Sequence, residues 1–117
     1  MVKICCIGQI PGTLIESLEQ NFGYRFVSIS EIKTTDLIMV GHDGTLATKT
    51  AIQLCREGGS RQPILVIGVD NELEEIEFLT SEEVDRCLPG GASASLVAAN
   101  IKAFLRRYDS SHPPEYS

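Results

Sequence analysis

Three runs of apolar residues constrain the fold of this chain more than any other feature of its sequence. They cover residues 2–7, 36–40 and 63–69, and each is rich in Ile, Val, Leu or Cys and bounded by Gly, Pro or Asp. Their apolar character is continuous rather than alternating, which is typical of strands that are covered on both faces. The sequence therefore predicts a parallel sheet with helices on both sides.

Two weaker strands and four helical patterns complete the alternation. Residues 24–29 and 84–88 suit strands nearer the edges of the sheet. The helical patterns cover residues 13–22, 45–57, 71–83 and 93–108. Since no clear helical pattern lies between the second and third strands, we expect that helix to be short or absent. The alternation also predicts right-handed crossovers and a doubly wound sheet.

The apolar positions of these helices predict which face each one buries. Residues spaced three or four apart share one face of a helix, and that stripe is expected to face the sheet. The predicted stripes are Leu14, Leu18 and Phe22 in the first helix, Leu46, Ala47, Ala51, Leu54 and Cys55 in the second, Leu73, Ile76 and Leu79 in the third, and Leu96, Val97, Ile101, Phe104 and Leu105 in the last.

Composition and charge argue against several classes of function. The 117 residues are 43% hydrophobic and 22% charged, as in a folded globular domain, and their formal net charge is −6. An acidic balance argues against direct nucleic-acid contact by this domain. No apolar run approaches the roughly 20 residues that are needed to cross a bilayer. The sequence predicts a cytoplasmic protein without membrane contact.

The cysteines and histidines lack the spacing of metal ligands. Cys5, Cys6, Cys55 and Cys87 contain no C-x-x-C pair, and Cys5 and Cys6 point to opposite faces of a strand. Small buried thiols in a reducing compartment are the simplest interpretation. We therefore expect neither a metal nor a cofactor.

Several short motifs occur in an order that resembles the receiver domains of response regulators. They are K-I-x-x-I at the start, D-L-I-M-V and P-I-L-V-I in the third and fourth strands, and D-R-C-L-P before a helix ending A-F-L-R-R. The resemblance covers residues 2–107. It implies a CheY-like, flavodoxin-like α/β fold with a five-stranded parallel sheet of order 2-1-3-4-5, and a receiver-type domain over residues 1–108. The polar tail, residues 109–117, is expected to be a linker to a C-terminal output domain.

Receivers accept a phosphoryl group on an aspartate at the C-terminal ends of their strands. Two acids after strand one hold Mg²⁺, an aspartate ends strand three, a Ser or Thr ends strand four, and a lysine ends strand five. The resemblance places these positions on Gly8, Gln9, Gly41, Gly68 and Gly90. Because every group of this set is missing, the chain is predicted to be a pseudo-receiver and not an enzyme.

Alternative chemistry at the same edge of the sheet stays open from the sequence. Asp43 lies two residues past the nucleophile position and is expected to be a turn residue or a helix cap, with a residual phosphoacceptor as the alternative. His42 and Cys6 are further phosphocarrier candidates. A different hypothesis is a sensor for a nucleotide-like anion, held by backbone amides where the glycines clear space. No segment fits a glycine-rich phosphate motif.

The expected working surface is formed by the acidic third helical pattern, the last strand and the last helix. Receivers dimerise through the corresponding face, so the resemblance implies a homodimer. The candidate residues are Glu74, Glu77, Arg86, Arg106 and Arg107. The expected function is phosphorylation-independent control of an attached output domain, that of a bacterial transcription regulator, through protein–protein contact.

Overall fold

The structure is a computed structural model that describes residues 2–80 and 84–111, and residues 108–111 through their backbone alone. Five strands form a parallel sheet in the spatial order β2-β1-β3-β4-β5. They are β1 (Lys3–Ile7), β2 (Arg25–Val27), β3 (Leu37–Gly41), β4 (Ile64–Ile67) and β5 (Arg86–Leu88). The predicted fold class and strand order are confirmed.

Four α-helices connect or follow the strands. They are α1 (Gly12–Phe22), α2 (Thr45–Glu57), α3 (Glu72–Thr80) and α4 (Ala94–Ser111). A 3-10 helix, Ile29–Thr34, occupies the connection between β2 and β3, which confirms that the second helix of the pattern is short. The backbone of α4 stays helical three residues past the predicted domain boundary at residue 108, and residues 112–117 of the predicted linker lie outside the described residues.

The sheet is covered on both faces, as the continuous apolar runs predict. Alternate residues of β3 point to opposite faces of the sheet. Leu37 and Met39 face α1 and α4, whereas Ile38 and Val40 face α2 and α3. The first layer buries Leu14, Leu18, Val97, Ala98, Ile101 and Phe104 of its helices. The second layer buries Ile52, Cys55 and Phe78. The core of this domain is therefore two apolar layers separated by the sheet.

The predicted buried stripes are correct for α1 and largely correct for α4, whereas the stripe of α2 is correct only at Cys55 and that of α3 is wrong. In α2 the buried residues are Thr48, Ile52 and Cys55, while Leu46 and Leu54 are exposed. In α3 the predicted residues Leu73, Ile76 and Leu79 are 77%, 52% and 41% exposed, and Phe78 is buried instead. Phe78 fills the space beside β4 and β5, and once it does so the helix must turn the other apolar residues away. Leu96 of α4 is also exposed.

The parallel register brings the ends of the strands to two opposite edges. Ile7 lies beside Val40 of β3, and Gly41 lies beside Ile67 of β4. We call the edge formed by the loops after β1, β3, β4 and β5 the C-terminal edge, and the opposite one the N-terminal edge. In the part of the chain that the structure describes, no helix is long and apolar enough to span a membrane.

Candidate functional site

The C-terminal edge, where the receiver pattern places its chemistry, is closed by main chain at Gly8 and Gly41. Gly41 is buried, and a Cβ built on it would lie 2.8 Å from the nitrogen of Gln9, 2.5 Å from its carbonyl carbon, and closer still to its oxygen. A Cβ on Gly8 would lie 2.9 Å from the carbonyl oxygen of Gly41, and Gly8 has a φ of +80°. The loop after β1 thus occupies the space that a side chain at the nucleophile position would need.

The other two glycine positions border the same loops. A Cβ on Gly68 would lie 3.3 Å from the Cβ of His42. Gly90 comes close to the Cα of Gly68, and its N–H donates a hydrogen bond of 3.2 Å to Oδ1 of Asp70. The carboxylate of Asp70 therefore ties the loop after β4 to the loop after β5. It acts as a structural acceptor where a receiver would contact phosphate.

Asp43 is an exposed turn residue and not the helix cap. The N-cap of α2 is Gly44, which offers no side chain, and the N–H of Asp43 donates to Oγ1 of the buried Thr48 at 3.1 Å. No described residue contributes a hydrogen bond or an ion pair to the Asp43 carboxylate. Gln9, at the position of a metal-binding acid, is exposed, and its backbone is what covers Gly41.

His42 and two residues of neighbouring helices form the most connected polar cluster at this edge. Nε2 of His42 lies 2.9 Å from Oε2 of Glu74, and the hydroxyl of Thr45 donates to the same oxygen at 2.6 Å. The imidazole also meets the ring of Phe78 edge-on, with 5.7 Å between centroids. The cluster joins the loop after β3 and the start of α2 to α3.

This cluster changes the acidity of its carboxylate. The hydrogen bond from Thr45 lowers the pKa of Glu74 below its ordinary value; desolvation opposes this, and His42 adds to the lowering. Glu74 therefore stays ionised to lower pH than a free glutamate. The sequence did not predict these contacts, because His42 and Glu74 are 32 positions apart.

The cysteines do not offer an activated nucleophile. Burial raises the pKa of the Cys6 thiol to about 12 and that of Cys87 to about 11, with nearby Cys5 and Glu75 adding to the respective shifts. Since the thiolate is the nucleophile, these thiols are held in the unreactive form at neutral pH. Within residues 2–80 and 84–111 there is no group of three or more His, Cys, Asp or Glu side chains that could hold a metal ion.

A shallow groove lies on the α1 side of the C-terminal edge. Its volume is about 260 Å³, and it is lined by Pro11, Thr13, Leu14, Ser17, Gly90, Gly91, Ala92 and Ala94. None of these side chains is charged, so nothing in the lining would offset the charge of an anion. The hypothesis of a nucleotide-like anion at the glycine-lined edge gains no support from this geometry.

The five residues predicted for the interaction face lie on α3, β5 and α4. The carboxylates of Glu74 and Glu77 turn toward α2, where Glu77 forms an ion pair with Lys49. Arg86 is exposed at the start of β5. Arg107 lies in α4 with its guanidinium 5.1 Å from the ring of Phe104, and Arg106 is exposed beside it. That these residues act as one interaction face stays a prediction.

Comparison with known proteins identifies the fold and leaves the family unassigned. No protein-family model and no curated protein matches the sequence. Among solved structures, the receiver domain of the Francisella response regulator 1452 aligns with a TM-score of 0.70 and 16% identity, over 92% of this chain and 99% of that one. The N-terminal domain of the nisin resistance regulator NsrR aligns at 0.70 and 19%, over 91% and 99%.

A third solved structure extends the likeness to a receiver in another protein context. The C-terminal part of Escherichia coli RcsC, which contains a linker region and a phosphoreceiver domain, aligns with a TM-score of 0.69 and 15% identity, over 97% of this chain and 49% of that one. The chain therefore has the fold of response-regulator receiver domains. Identities this low show the fold and say nothing further about function.

Proposed function

We propose that this domain is a phosphorylation-independent signalling module that acts through protein–protein contact and is not itself an enzyme. The observation that carries the proposal is the closed nucleophile position. The backbone of Gln9 lies so close to Gly41 that a residue with a Cβ would not fit at this position. The domain has the receiver fold, but the space for receiver chemistry is filled. We therefore infer that the domain acts through a surface.

Mass spectrometry after incubation with acetyl phosphate and Mg²⁺ tests the absence of phosphoryl transfer. The expected result is no covalent adduct, because neither the metal-binding acids nor the lysine of the receiver set is present to offset charge on the phosphoryl group. A mass increase of one phosphoryl group that disappears in Asp43→Asn would contradict the proposal and establish Asp43 as a phosphoacceptor.

The solvent-facing side of α3 is the surface that best suits such contact. Leu73, Ile76 and Leu79 follow one another at helical spacing and are all exposed. Single exposed apolar residues are common on protein surfaces, but a row of three on one helix is typical of an interface. Glu74 bonds His42 and Thr45, and Glu77 pairs with Lys49 of α2, so two of the acids of α3 already have partners within the domain. We expect a second copy of the chain to cover it, with the neighbouring β5 and α4 in the same contact.

Sedimentation at several concentrations tests the homodimer. Ile76→Glu places a charge in the middle of the apolar row and should shift the domain to monomer. Leu54→Glu makes the same change at an exposed leucine of α2 and serves as the matched control, which should leave association unchanged. A wild-type domain that stays monomeric at high concentration would refute the dimer while leaving the phosphorylation test unaffected.

The wider role is control of an output domain in a bacterial transcription regulator. It is supported by the receiver fold and by the polar, proline-containing segment at residues 109–117. The sequence that follows residue 117 in the natural gene would identify the output domain. An open reading frame without any such domain would contradict this part of the proposal.

A further inference from the structure

A cavity of about 390 Å³ lies at the N-terminal edge of the sheet, on the opposite side of the domain from the receiver positions. It is formed where the loop from α2 to β4 meets the end of the 3-10 helix. The lining residues are Lys33, Thr35, Gly58, Gly59, Ser60, Arg61 and Gln62. Its volume lies within the range of about 300–1,000 Å³ that is usual for small-molecule sites.

The cavity is cationic in a domain whose net charge is −6. Lys33 and Arg61 line it, and neither forms an ion pair with a described carboxylate. The acids nearby in the chain have other partners. Glu31 lies 3.9 Å from Lys3, Asp36 accepts the N–H of Lys3, Glu57 accepts from Gln53, and Asp85 lies 4.0 Å from Arg56. Lys33 and Arg61 are therefore without an ion-pair partner among the described residues.

The hydrogen bonds of Arg61 and Arg56 show how the cavity wall is built. Nη1 of Arg61 donates to the carbonyl oxygens of Arg56 and Ser60, at 3.4 and 3.3 Å. Nη1 of Arg56 donates to the carbonyls of Ser60 and Gln62, at 3.1 and 2.8 Å. These bonds hold the loop after α2 in place. They occupy only one nitrogen of Arg61, so the other N–H groups of its guanidinium remain available to a ligand.

Two buried polar atoms beside the cavity have no partner among the described residues. Ser60 is only 4% exposed, and its hydroxyl makes no hydrogen bond; the side-chain oxygen of Gln62 makes none either. The orientation of Gln62 is fixed, because Nε2 donates to the carbonyl of Ile32 at 2.5 Å and to Oγ1 of Thr35 at 3.3 Å. Unpaired buried polar groups are rare and costly, so each one calls for a partner.

The geometry points to a binding site for a small phosphate monoester that also carries hydroxyl groups. Lys33 and Arg61 supply the charge for the phosphate, for which a guanidinium fork and an ammonium are both well suited. The hydroxyl of Ser60 and the side-chain oxygen of Gln62 are buried, so they bond the hydroxyl groups of the ligand once the loop of residues 58–61 moves aside. This site is independent of the proposed signalling surface on α3.

Nuclear magnetic resonance titration of the whole chain tests the site, with glycerol 3-phosphate and inorganic phosphate as probes. Both should give saturable shifts in the amide signals of Gly58, Gly59 and Arg61. Glycerol 3-phosphate should bind more tightly than inorganic phosphate, since only it offers a hydroxyl to Gln62. Signals of Gly8, Gly41 and Gly68 at the C-terminal edge should stay in place.

Charge-removing variants connect the binding to the named residues. Arg61→Gln and Lys33→Gln should each weaken glycerol 3-phosphate binding about tenfold, the loss expected for a hydrogen bond to a charged group. Both side chains are exposed, but Arg61 also bonds two loop carbonyls, so the amide signals of Gly58 and Gly59 in the ligand-free variant must match those of the wild type before affinities are compared. Arg25→Gln removes an exposed charge on β2 and is the matched control, with unchanged affinity. Ser60→Ala should weaken binding by a smaller factor and should not lower the thermal midpoint, since its hydroxyl has no partner to lose.

Three results would overturn the inference. One is the lack of saturable shifts at Gly58 and Gly59 with either probe at tens of millimolar. Another is a set of shifts confined to the C-terminal edge. The third is equal weakening by Arg25→Gln and Arg61→Gln, which would mean that the probes respond only to net charge.

Discussion

The two edges of the sheet differ in how they use the space at the ends of the strands. At the C-terminal edge, glycines let the loops approach so closely that main chain fills the space where the receiver pattern places the nucleophile. At the N-terminal edge, Arg56 and Arg61 bond carbonyls of the loop after α2, and a cavity lined by Lys33 and Arg61 lies between that loop and the 3-10 helix. The same fold therefore packs backbone against backbone at one edge and leaves a cavity at the other.

The difference shows why an absent motif is not the same as an empty site. A chain without the receiver side chains could have a vacant pocket for another ligand at this edge. Here the loop after β1 packs against Gly41, so the glycines allow close packing of the backbone. Open space and cationic side chains without an ion-pair partner among the described residues are found instead where the receiver pattern predicts no chemistry.

The largest expected effect comes from restoring the nucleophile with Gly41→Asp. The new Cβ would overlap the backbone of Gln9, and the carboxylate would be buried, so we expect the free energy of unfolding to fall by about 3 kcal/mol or more. Urea denaturation measures it. Gly91→Asp is the control, since Gly91 is exposed with no neighbour within 4 Å of its Cβ position, and a change below about 0.5 kcal/mol is expected. If both variants are equally stable, the C-terminal edge is not closed.

The next largest effect is expected at the N-terminal edge, from Arg56→Gln. Its guanidinium is 16% exposed and donates to two loop carbonyls. Loss of these charge-assisted bonds should lower the free energy of unfolding by about 2 kcal/mol. Arg25→Gln, on an exposed strand position, should change it by less than about 0.5 kcal/mol. Equal stability of the two variants would show that the loop after α2 keeps its shape without Arg56.

The smallest expected effect concerns the polar cluster that joins α2 and α3. Thr45→Val keeps the shape of the side chain but removes the hydroxyl, so the pKa of Glu74 should rise toward its ordinary value. Because the pKa of Glu74 is lowered in the folded state, its contribution to stability is present above its unfolded-state pKa and is lost as the pH falls through the folded-state pKa. That loss should be smaller in Thr45→Val and complete at a higher pH than in the wild type.

Titration of the Glu74 carboxyl carbon by nuclear magnetic resonance follows this change directly. Thr50→Val is the matched control, because the hydroxyl of Thr50 bonds the carbonyl of Leu46 within α2 and does not touch Glu74. An unchanged Glu74 titration in Thr45→Val would mean that His42, rather than Thr45, sets the acidity of this carboxylate.

Much of the fold could be predicted because it depends on local patterns. The continuous apolar runs at β1, β3 and β4 indicate strands buried on both faces, and glycine at position 23 ends α1 in a left-handed conformation. The buried faces of α2 and α3 could not be predicted in the same way. Their sequences contain more than one apolar stripe, and only docking on the sheet selects Ile52 and Phe78 over Leu54 and Ile76.

The same distinction between local pattern and tertiary contact applies to the candidate sites. The sequence by itself determined the layers on both sides of the sheet, because continuous apolar runs indicate strands covered on both faces. The order of the strands followed from the resemblance to receivers, which also led to the prediction that the receiver side chains are absent. Only the tertiary structure decided that Gln9 fills the space at Gly41, that Glu74 turns to His42, and that Lys33 shares a cavity with Arg61. Those facts depend on contacts between residues distant in the chain, which a local pattern does not encode.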